Sequence, residues 1–361
     1  MTTATDYIDD RSAARAARRE RIFTRINRSA SYLGIVGLGW LVPLMKIAAG
    51  DNPRTQLREL WKQAGIPLIG IAVFLGLWAL LAPTVQTSLG TIPGPAKVWE
   101  QVEVLHADYV RERQKASDFY ERQDTRNDKL VAEGKADRVK WRAYTGAPTY
   151  LDQILTSLKT VGLGFLIATL FAVPLGILCG LSTAVNGALN PLIQIFKPVS
   201  PLAWLPIVTM IVSAAYTDVS DYMPKSLVIS AITVTLCSLW PTLINTALGV
   251  ASIDKDLVNV GKVLQLSTSK TVVKLVLPSA MPLIFTGLRL SLGVGWMVLI
   301  AAEMLAQNPG LGKFVWDEFQ NGSSDSLARI MVAVLTIGII GFLLDRIMLA
   351  LQAAFTFSAQ R

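Results

Sequence analysis

This sequence is poor in the residues that build metal centres, disulfide frameworks and acid–base sites. It holds one histidine, His106, and two cysteines, Cys179 and Cys237, in 361 residues. A lone imidazole cannot make a histidine-rich metal site, and both thiols fall inside long apolar runs, where buried structural thiols are expected. No metal site and no catalytic residue is therefore expected. Charge is scarce as well, since only 17% of residues are Asp, Glu, Lys or Arg. The phosphate-cradling motif G-x-x-x-x-G-K-[ST] is missing: Gly310-Leu311-Gly312-Lys313-Phe314 has neither its spacing nor the hydroxyl that holds magnesium. The polar, Arg-rich first thirty residues lack the early apolar core of a cleavable leader, so none is expected to be removed.

What the chain has in surplus is apolar. Hydrophobic residues make up 52% of it, and its mean hydropathy is +0.44, far from a soluble enzyme of this length. A helix needs about 20 mostly apolar residues to cross the hydrocarbon core of a bilayer. Six stretches qualify: 66–82, 158–181, 192–215, 226–250, 280–303 and 328–354. The expectation is an all-α, polytopic membrane protein. The net charge of +8 would suggest nucleic acid in a soluble protein. Here much of it flanks the apolar stretches, where cytoplasmic Lys and Arg set orientation, so membrane lipids are the expected contact and nucleic acid is not.

Four regions follow. Residues 1–65 form a basic cytoplasmic tail plus an apolar element at 32–49, which is broken by Gly34, Gly37, Gly39 and Pro43 and reads as interfacial or re-entrant. Arg11, Arg15, Arg18, Arg19, Arg21, Arg25 and Arg28, with Ile22, Phe23 and Ile26 between them, suit either a helix on an anionic surface or a plain basic tail. Residues 66–100 supply the first span and an outer segment. Residues 101–149 are a charged helical insert on the outer side, a solvated spacer or a partner contact, with Gly134 dividing it into a hairpin. Its opposite charges recur at helical spacing: Glu112 to Lys115, Lys115 to Asp118, Asp118 to Arg122. Residues 150–361 form the core bundle and its inner loop, 251–278.

That loop carries Lys255, Lys262, Lys270 and Lys274 against Asp254 and Asp256, which orients it to the cytoplasm. Ser252 or Asp254 can cap a first helix to about Leu266, and Ser267 a second that runs to Pro278, where regular hydrogen bonding is expected to stop. Such a bent pair suits the groove of a cytoplasmic partner, or it is an ordinary amphipathic loop.

An anion crossing low-dielectric space needs positive charge or donors to replace its hydration. The candidate path residues are Lys197, Trp204, Trp240, Thr242, Asn245, Arg289, Trp296 and Glu303. Each has a plainer alternative: Lys197 and Arg289 can snorkel to the interface, the tryptophans can anchor or pack, and Glu303 can be a structural pair or a gate. Asp345 next to Arg346 reads as a local or inter-helix ion pair. Pro198, Pro201 and Pro206 break the 192–215 stretch and Pro241 the next. Freed backbone groups are tolerated in a membrane only where buried or facing water, so the broken helix is the candidate pore wall.

Several strings carry a resemblance: TIPGPAKVWE at 91–100, KPVSPLAWLPI at 197–207, LWPTLINTALGV at 239–250, GLRLSLGVGWMVLIAAEML at 287–305 and FVWDEF at 314–319. They resemble the nitrate/bicarbonate/cyanate branch of ABC-importer permeases, related to taurine and sulfonate permeases. That family's coupling loop reads Glu-Ala-Ala, three residues, Gly, nine residues, Ile, any residue, Leu-Pro. At those positions stand Asn259, Val260 and Gly261, then Gln265, then Leu275, Leu277 and Pro278, so the Glu, the Ala pair and the Gly are all replaced.

The resemblance implies a type I ABC importer permease bundle of about six transmembrane helices in a bacterial inner membrane. It implies a second permease copy, two cytoplasmic ATPase subunits that hold ATP and magnesium, and an extracytoplasmic substrate-binding protein. The implied cargo is a small inorganic anion, nitrate or nitrite first, with bicarbonate, cyanate and taurine or another sulfonate as alternatives. This chain would be the transport subunit and not an enzyme. A gradient-driven secondary transporter is the rival reading; it calls for internal repeats and intramembrane carboxylates.

Overall fold

The computed structural model describes residues 22–27, 29–30, 33–34, 37–87, 90–216, 223–323 and 325–359. Most of the arginine-rich segment, Arg11 to Arg21 and Arg28, lies outside them. Lipid offers a backbone no hydrogen-bond partner, so apolar stretches of this length fold as helices that satisfy themselves. Among the described residues, five helices are long and apolar enough to cross a membrane: Pro53–Thr84, Tyr150–Leu181, Lys225–Ala251, Thr268–Ala306 and Ser326–Phe355.

The chain opens with α1, Leu41–Ala48, whose eight residues rise about 12 Å and cannot span alone. Helix α2, Pro53–Leu60, passes through a π turn, Trp61–Gly65, into α3, Ile66–Leu81. A two-stranded ribbon follows, β1 (Gln86–Thr87) paired antiparallel with β2 (Gly90–Thr91). Next come α4, Pro95–Ala132, and the bundle: α5, Tyr150–Leu181; α6, Thr183–Phe196; α7, Pro201–Ala215; and α8, Lys225–Ala251. The inner loop contains α9, Lys255–Val263, and α10, Thr268–Thr271. A second π turn, Val272–Val276, leads into α11, Leu277–Ala306, before α12, Leu311–Asn321, and α13, Ser326–Ala359.

The bundle is organised by α5 and α8. Gly164 faces Ala231 and Val234, Gly176 faces Leu243 and Thr246, and Gly180 faces Ala247 and Val250. Both series ascend, so the two helices run parallel. The backbones approach so closely that a Cβ on Gly164 would lie 2.7 Å from the Ala231 carbonyl oxygen. Small residues are what permit such contact between membrane helices. Parallel neighbours need a return crossing between them, which α6 and α7 together provide. The break expected at 192–215 is there: α6 and α7 are bent by 102° at their junction, and α6 begins earlier, at Thr183. The residue before a proline avoids the helical region, and Ser200, before Pro201, is extended at φ −72° and ψ 152°.

Helix α11 runs antiparallel to α8 and is tied to it by Ser291, whose Oγ accepts from the Thr242 N–H at 3.0 Å and lies 2.7 Å from the Thr242 hydroxyl. Helix α13 is antiparallel to α11, with the Trp296 indole N–H donating to the Ile337 carbonyl at 3.0 Å. Asp345 pairs with Arg289 across these two helices. Arg346 instead lies over the Phe342 ring, 4.8 Å from its centroid, so the ion pair is the inter-helix one and not Asp345 with its neighbour.

Helix α4 departs from the expected hairpin. Its first turns lie on the bundle, where Val98, Gln101 and Leu105 are buried and Arg329 Nε donates to Gln101 Oε1 at 3.2 Å. From Leu105 to Ala132 it continues as one unbroken arm about 40 Å long. Gly134, at φ +72°, then turns the chain, and the stretch to Pro148 returns without an α-helix. Of the expected charge pairs, Glu112 with Lys115 forms at 3.2 Å, whereas Asp118 takes the Gln114 amide at 2.8 Å. The return stretch lies along the arm: Gln123 Oε1 accepts from the Arg142 N–H at 2.8 Å, and the Asn127 amide reaches the Lys140 carbonyl at 3.2 Å. Arm and return are joined lower down by the Tyr144 hydroxyl, which donates to Glu112 Oε1 at 2.6 Å.

This last bond depends on pH. The Tyr144 hydroxyl, then Lys115, hold the Glu112 carboxyl below its ordinary value, and Glu112 raises Tyr144 above its own. A lowered carboxyl contributes stability above its unfolded pKa and loses it as pH falls; a raised phenol contributes below its unfolded pKa and loses it as pH rises. Protection of the amides in residues 140–144, measured against their intrinsic exchange rate at each pH, should therefore be greatest between about pH 5 and pH 10 and fall on either side. Tyr144→Phe should flatten that dependence.

Candidate functional site: the inner loop and the broken span

The loop between α8 and α11 is built as two limbs around a sharp corner. Asp254 caps α9, its Oδ1 accepting from the Asp256 N–H at 2.9 Å. Just past the helix Gln265 takes the left-handed conformation at φ +49°, and the Leu266 N–H closes back on the Gly261 carbonyl at 3.0 Å. This is the αL termination that helices ordinarily give to glycine. Gln265 thus occupies the position of the family's Gly and adopts a backbone that Gly adopts more cheaply. Ser267 has the extended backbone of an N-cap, at φ −61° and ψ 152°, but its hydroxyl makes no capping bond.

Pro278 does not end the second limb. The chain is helical from Thr268 to Ala306, and the π turn Val272–Val276 sits just ahead of the proline. A wider turn there accommodates the carbonyl that the ring would strike and the N–H that proline lacks. The π turn Trp61–Gly65 stands in the same relation to Pro67.

The residues expected from the sequence to form a coupling loop divide by exposure. Gly261 is buried, and a Cβ there would lie 3.0 Å from Leu275 Cδ1, so this pair joins the limbs and a bulky residue at Gly261 would break the loop from inside. Val260 lies within α9. Leu277 packs beside Val250, Val276 and Ala280, fixing the loop to the end of α8. Asn259 and Gln265 are open, and Val263 and Leu264 at the tip are 81% and 63% exposed. The corner thus holds two neighbouring apolar side chains in the open.

The broken span gathers Lys197, Trp204 and Trp240. Phe196 lies between the two indoles, its ring centroid 5.8 Å from Trp204 and 6.4 Å from Trp240, the latter stacked at 11°. Both indole nitrogens are enclosed, and neither N–H meets an acceptor among the described residues. Farther along α8, the Asn245 amide donates to the Pro241 carbonyl at 2.8 Å, and Thr242 is taken up by Ser291.

The other path candidates lie elsewhere. Arg289 lines a groove of about 560 Å³ between α11 and α13, where Asp345 already neutralises it, and Trp296 is buried in the same seam. Glu303 is fully buried at the far end of α11. Its carboxylate accepts from the Ser157 hydroxyl, from the Gly312 N–H at 3.0 Å and from the Asn308 amide at 3.4 Å. Asn308 also donates to Thr160 Oγ1 at 3.1 Å, and Ser157 Oγ accepts from the Leu311 N–H at 2.8 Å. A Cβ on Gly310 would collide with the Glu303 carboxylate, so both the glycine and the acid belong to a joint that closes the α11–α12 turn on α5.

Sequence reasoning had missed this network. The only trace of it is two small residues, Gly310 and Gly312, close after an intramembrane acid. It also missed Asn186, Asn190 and Gln194, whose spacing places them with Lys197 on one face of α6.

The described residues form a multi-pass helical bundle with an exposed apolar corner between α8 and α11. Residues 172–357 match the family described as binding-protein-dependent transport system inner membrane component. The bicarbonate transport system permease protein CmpB of Synechococcus elongatus is 35% identical over 307 residues, which cover 84% of this chain and 94% of that one. The nitrate import permease protein NrtB of Leptolyngbya laminosa is 39% identical over 193 residues, 54% of this chain and 64% of that one. The taurine transport system permease protein TauC of Escherichia coli is 34% identical over 208 residues, 58% and 70% of the two chains. The chain belongs to the permeases of ABC importers, in the branch with nitrate, bicarbonate and taurine permeases, and is a multi-pass inner-membrane protein.

Two substitutions check the joints. Glu303→Ala leaves the Gly312 N–H and the Asn308 amide without an acceptor and should lower unfolding stability in detergent by about 3 kcal/mol, with Glu303→Gln losing less. Gln265→Gly removes the left-handed penalty of about 1 kcal/mol and should raise hydrogen-exchange protection of the Leu266 amide roughly fivefold.

Proposed function

We propose that this chain is the transmembrane subunit of an ATP-driven importer that carries a small inorganic oxyanion, nitrate or nitrite foremost, into the cytoplasm. The observation that carries this reading is the loop corner, with Val263 and Leu264 held out in the open on a Schellman-type turn. Two cytoplasmic ATPase subunits, which bind the ATP and magnesium, receive these corners in their grooves. A second permease copy completes the pore, and an extracytoplasmic binding protein delivers the cargo. Movement enters the membrane through α8 and α11, the helices on either side of the loop. Asn259, Gln265, Val263 and Leu264 form the docking face, while Gly261, Leu275, Leu277 and Pro278 hold its shape.

Lys197, Trp204, Trp240 and Asn245 line the cargo path on this reading. Glu303, the carboxylate a gradient-driven carrier would use, is occupied by donors of its own fold, which favours the ATP-driven alternative. Bicarbonate is the second cargo. It is a planar oxyanion like nitrate, and the relative named for it matches this chain over the greater length.

The test is uptake of isotope-labelled nitrate and bicarbonate by cells that express the chain with its partners. Vanadate should abolish uptake. Leu264→Asp should reduce it at least tenfold with the amount of permease in the membrane unchanged. Gradient-driven uptake by the chain alone would overturn the proposal.

A further inference from the structure

Helix α6 carries one polar face. Asn186, Asn190, Gln194 and Lys197 follow one another at spacings of four, four and three residues and line an open groove of about 300 Å³ between α6 and the last turns of α8. The opposite wall is apolar, formed by residues such as Leu243 and Ala247, and no acidic residue lines the groove. Gln194 Nε2 donates to Asn190 Oδ1 at 3.4 Å, which uses the Asn190 oxygen and leaves its NH₂ group to donate. The groove thus offers one cation and a row of amide donors, with no carboxylate to neutralise them.

Its depth matters. Asn186 and Ala251, at the loop end of α8, both line the groove, whereas Phe196, next to Lys197, stacks on Trp240. Trp240 is eleven residues before Ala251, about 16 Å of helix from that end. A lysine stem reaches about 6 Å, so snorkelling does not return this ammonium to the surface. Charge at such depth is retained only where it faces water or a counter-charge. The two indole N–H groups beside Phe196, enclosed and without acceptors, sit at the same level. Unmet buried donors of this kind mark an unseen ligand or water.

We propose that the α6–α8 groove is the inner half of the anion path: a binding site for a small planar oxyanion at Lys197, from which the Gln194, Asn190 and Asn186 amides lead the ion to the cytoplasmic face. The proposal rests on the reading that the chain imports an anion, and it assigns the place where that anion is held. A lipid phosphate shares the chemistry, but head groups lie at the surface and Lys197 does not.

The experiment uses the full transporter, permease with its partners, in phosphatidylcholine vesicles. Cys179 and Cys237 are replaced by serine, and Gln194→Cys, one helical turn from Lys197, becomes the reporter. An anionic methanethiosulfonate added on the loop side should label this thiol about tenfold faster than a cationic one, relative to their rates with a free thiol. Nitrate should slow that labelling, Lys197→Gln should abolish the anionic preference, and Lys197→Arg should keep it. A thiol that neither reagent reaches, or a preference indifferent to Lys197→Gln, overturns the proposal. Protection by phosphatidylglycerol vesicles in the absence of nitrate would assign the groove to lipid and overturn it as well. Uptake is measured alongside. If the wild-type transporter imports no anion while labelling follows the expected pattern, the cargo reading fails and the site stands. If uptake persists with labelling unaffected by Lys197→Gln, the site fails and the cargo reading stands.

Discussion

The contact on which the rest of the structure depends is the approach of α5 to α8 through Gly164, Gly176 and Gly180. These glycines bring one backbone against the carbonyls of the other at a separation that leaves no room for a methyl group. Lipid tails are as apolar as leucine, so membrane helices gain little by hiding apolar side chains from them and much by close packing. The contact is parallel, and that single fact dictates a crossing between the two helices. The crossing is the kinked pair α6 and α7, and the kink creates both the groove beside α8 and the indole cluster at its head.

Most of the architecture could be read in advance because it follows from two strong signals, apolar length and charge asymmetry. Tyr150–Leu181, Lys225–Ala251 and Ser326–Phe355 each run as one helix through their apolar stretch, and Pro241, expected to break its span, leaves Lys225–Ala251 continuous, as Pro174 leaves Tyr150–Leu181. Prolines act in two opposite ways in this chain. Pro198 and Pro201 broke a helix as their chemistry requires, and the break was larger than a disturbed span suggests. Pro67 and Pro278 broke nothing, since a π turn ahead of each absorbs the missing N–H. No local pattern distinguishes the two cases: Val276 and Leu277, beside Pro278, pack with Val250 at the end of α8, a contact the local sequence does not disclose.

The candidate residues show the same division. The loop positions were proposed from spacing, and Gln265 holds a left-handed backbone of the kind glycine adopts most cheaply. The intramembrane polar residues were legible as a list but not as a site, because polarity in a membrane has several uses. Arg289 is half of an ion pair, Thr242 half of a helix–helix bond, and Glu303 the centre of a joint made with Ser157 and Asn308 from two other elements. Which use applies depends on partners on other helices, 49 residues away in sequence for Thr242, 56 for Arg289 and 146 for Glu303 with Ser157, and one sequence does not disclose them. The charged arm shows the reverse: its helix was plain from charge spacing, while its return stretch was hidden because hydrogen bonds from Gln123 and Asn127 to main chain leave no periodicity.

The helical run from Thr268 to Ala306 has a mechanical consequence. Thirty-nine residues without a break form a rod about 58 Å long, anchored at one tip by the corner at Gln265 and welded at the other by Glu303. Tilting such a rod by about 5° swings its distant end by about 5 Å, more than the width of a nitrate ion. On the proposed reading, a small rocking of the loop corner is carried along this helix to the opposite end of the bundle.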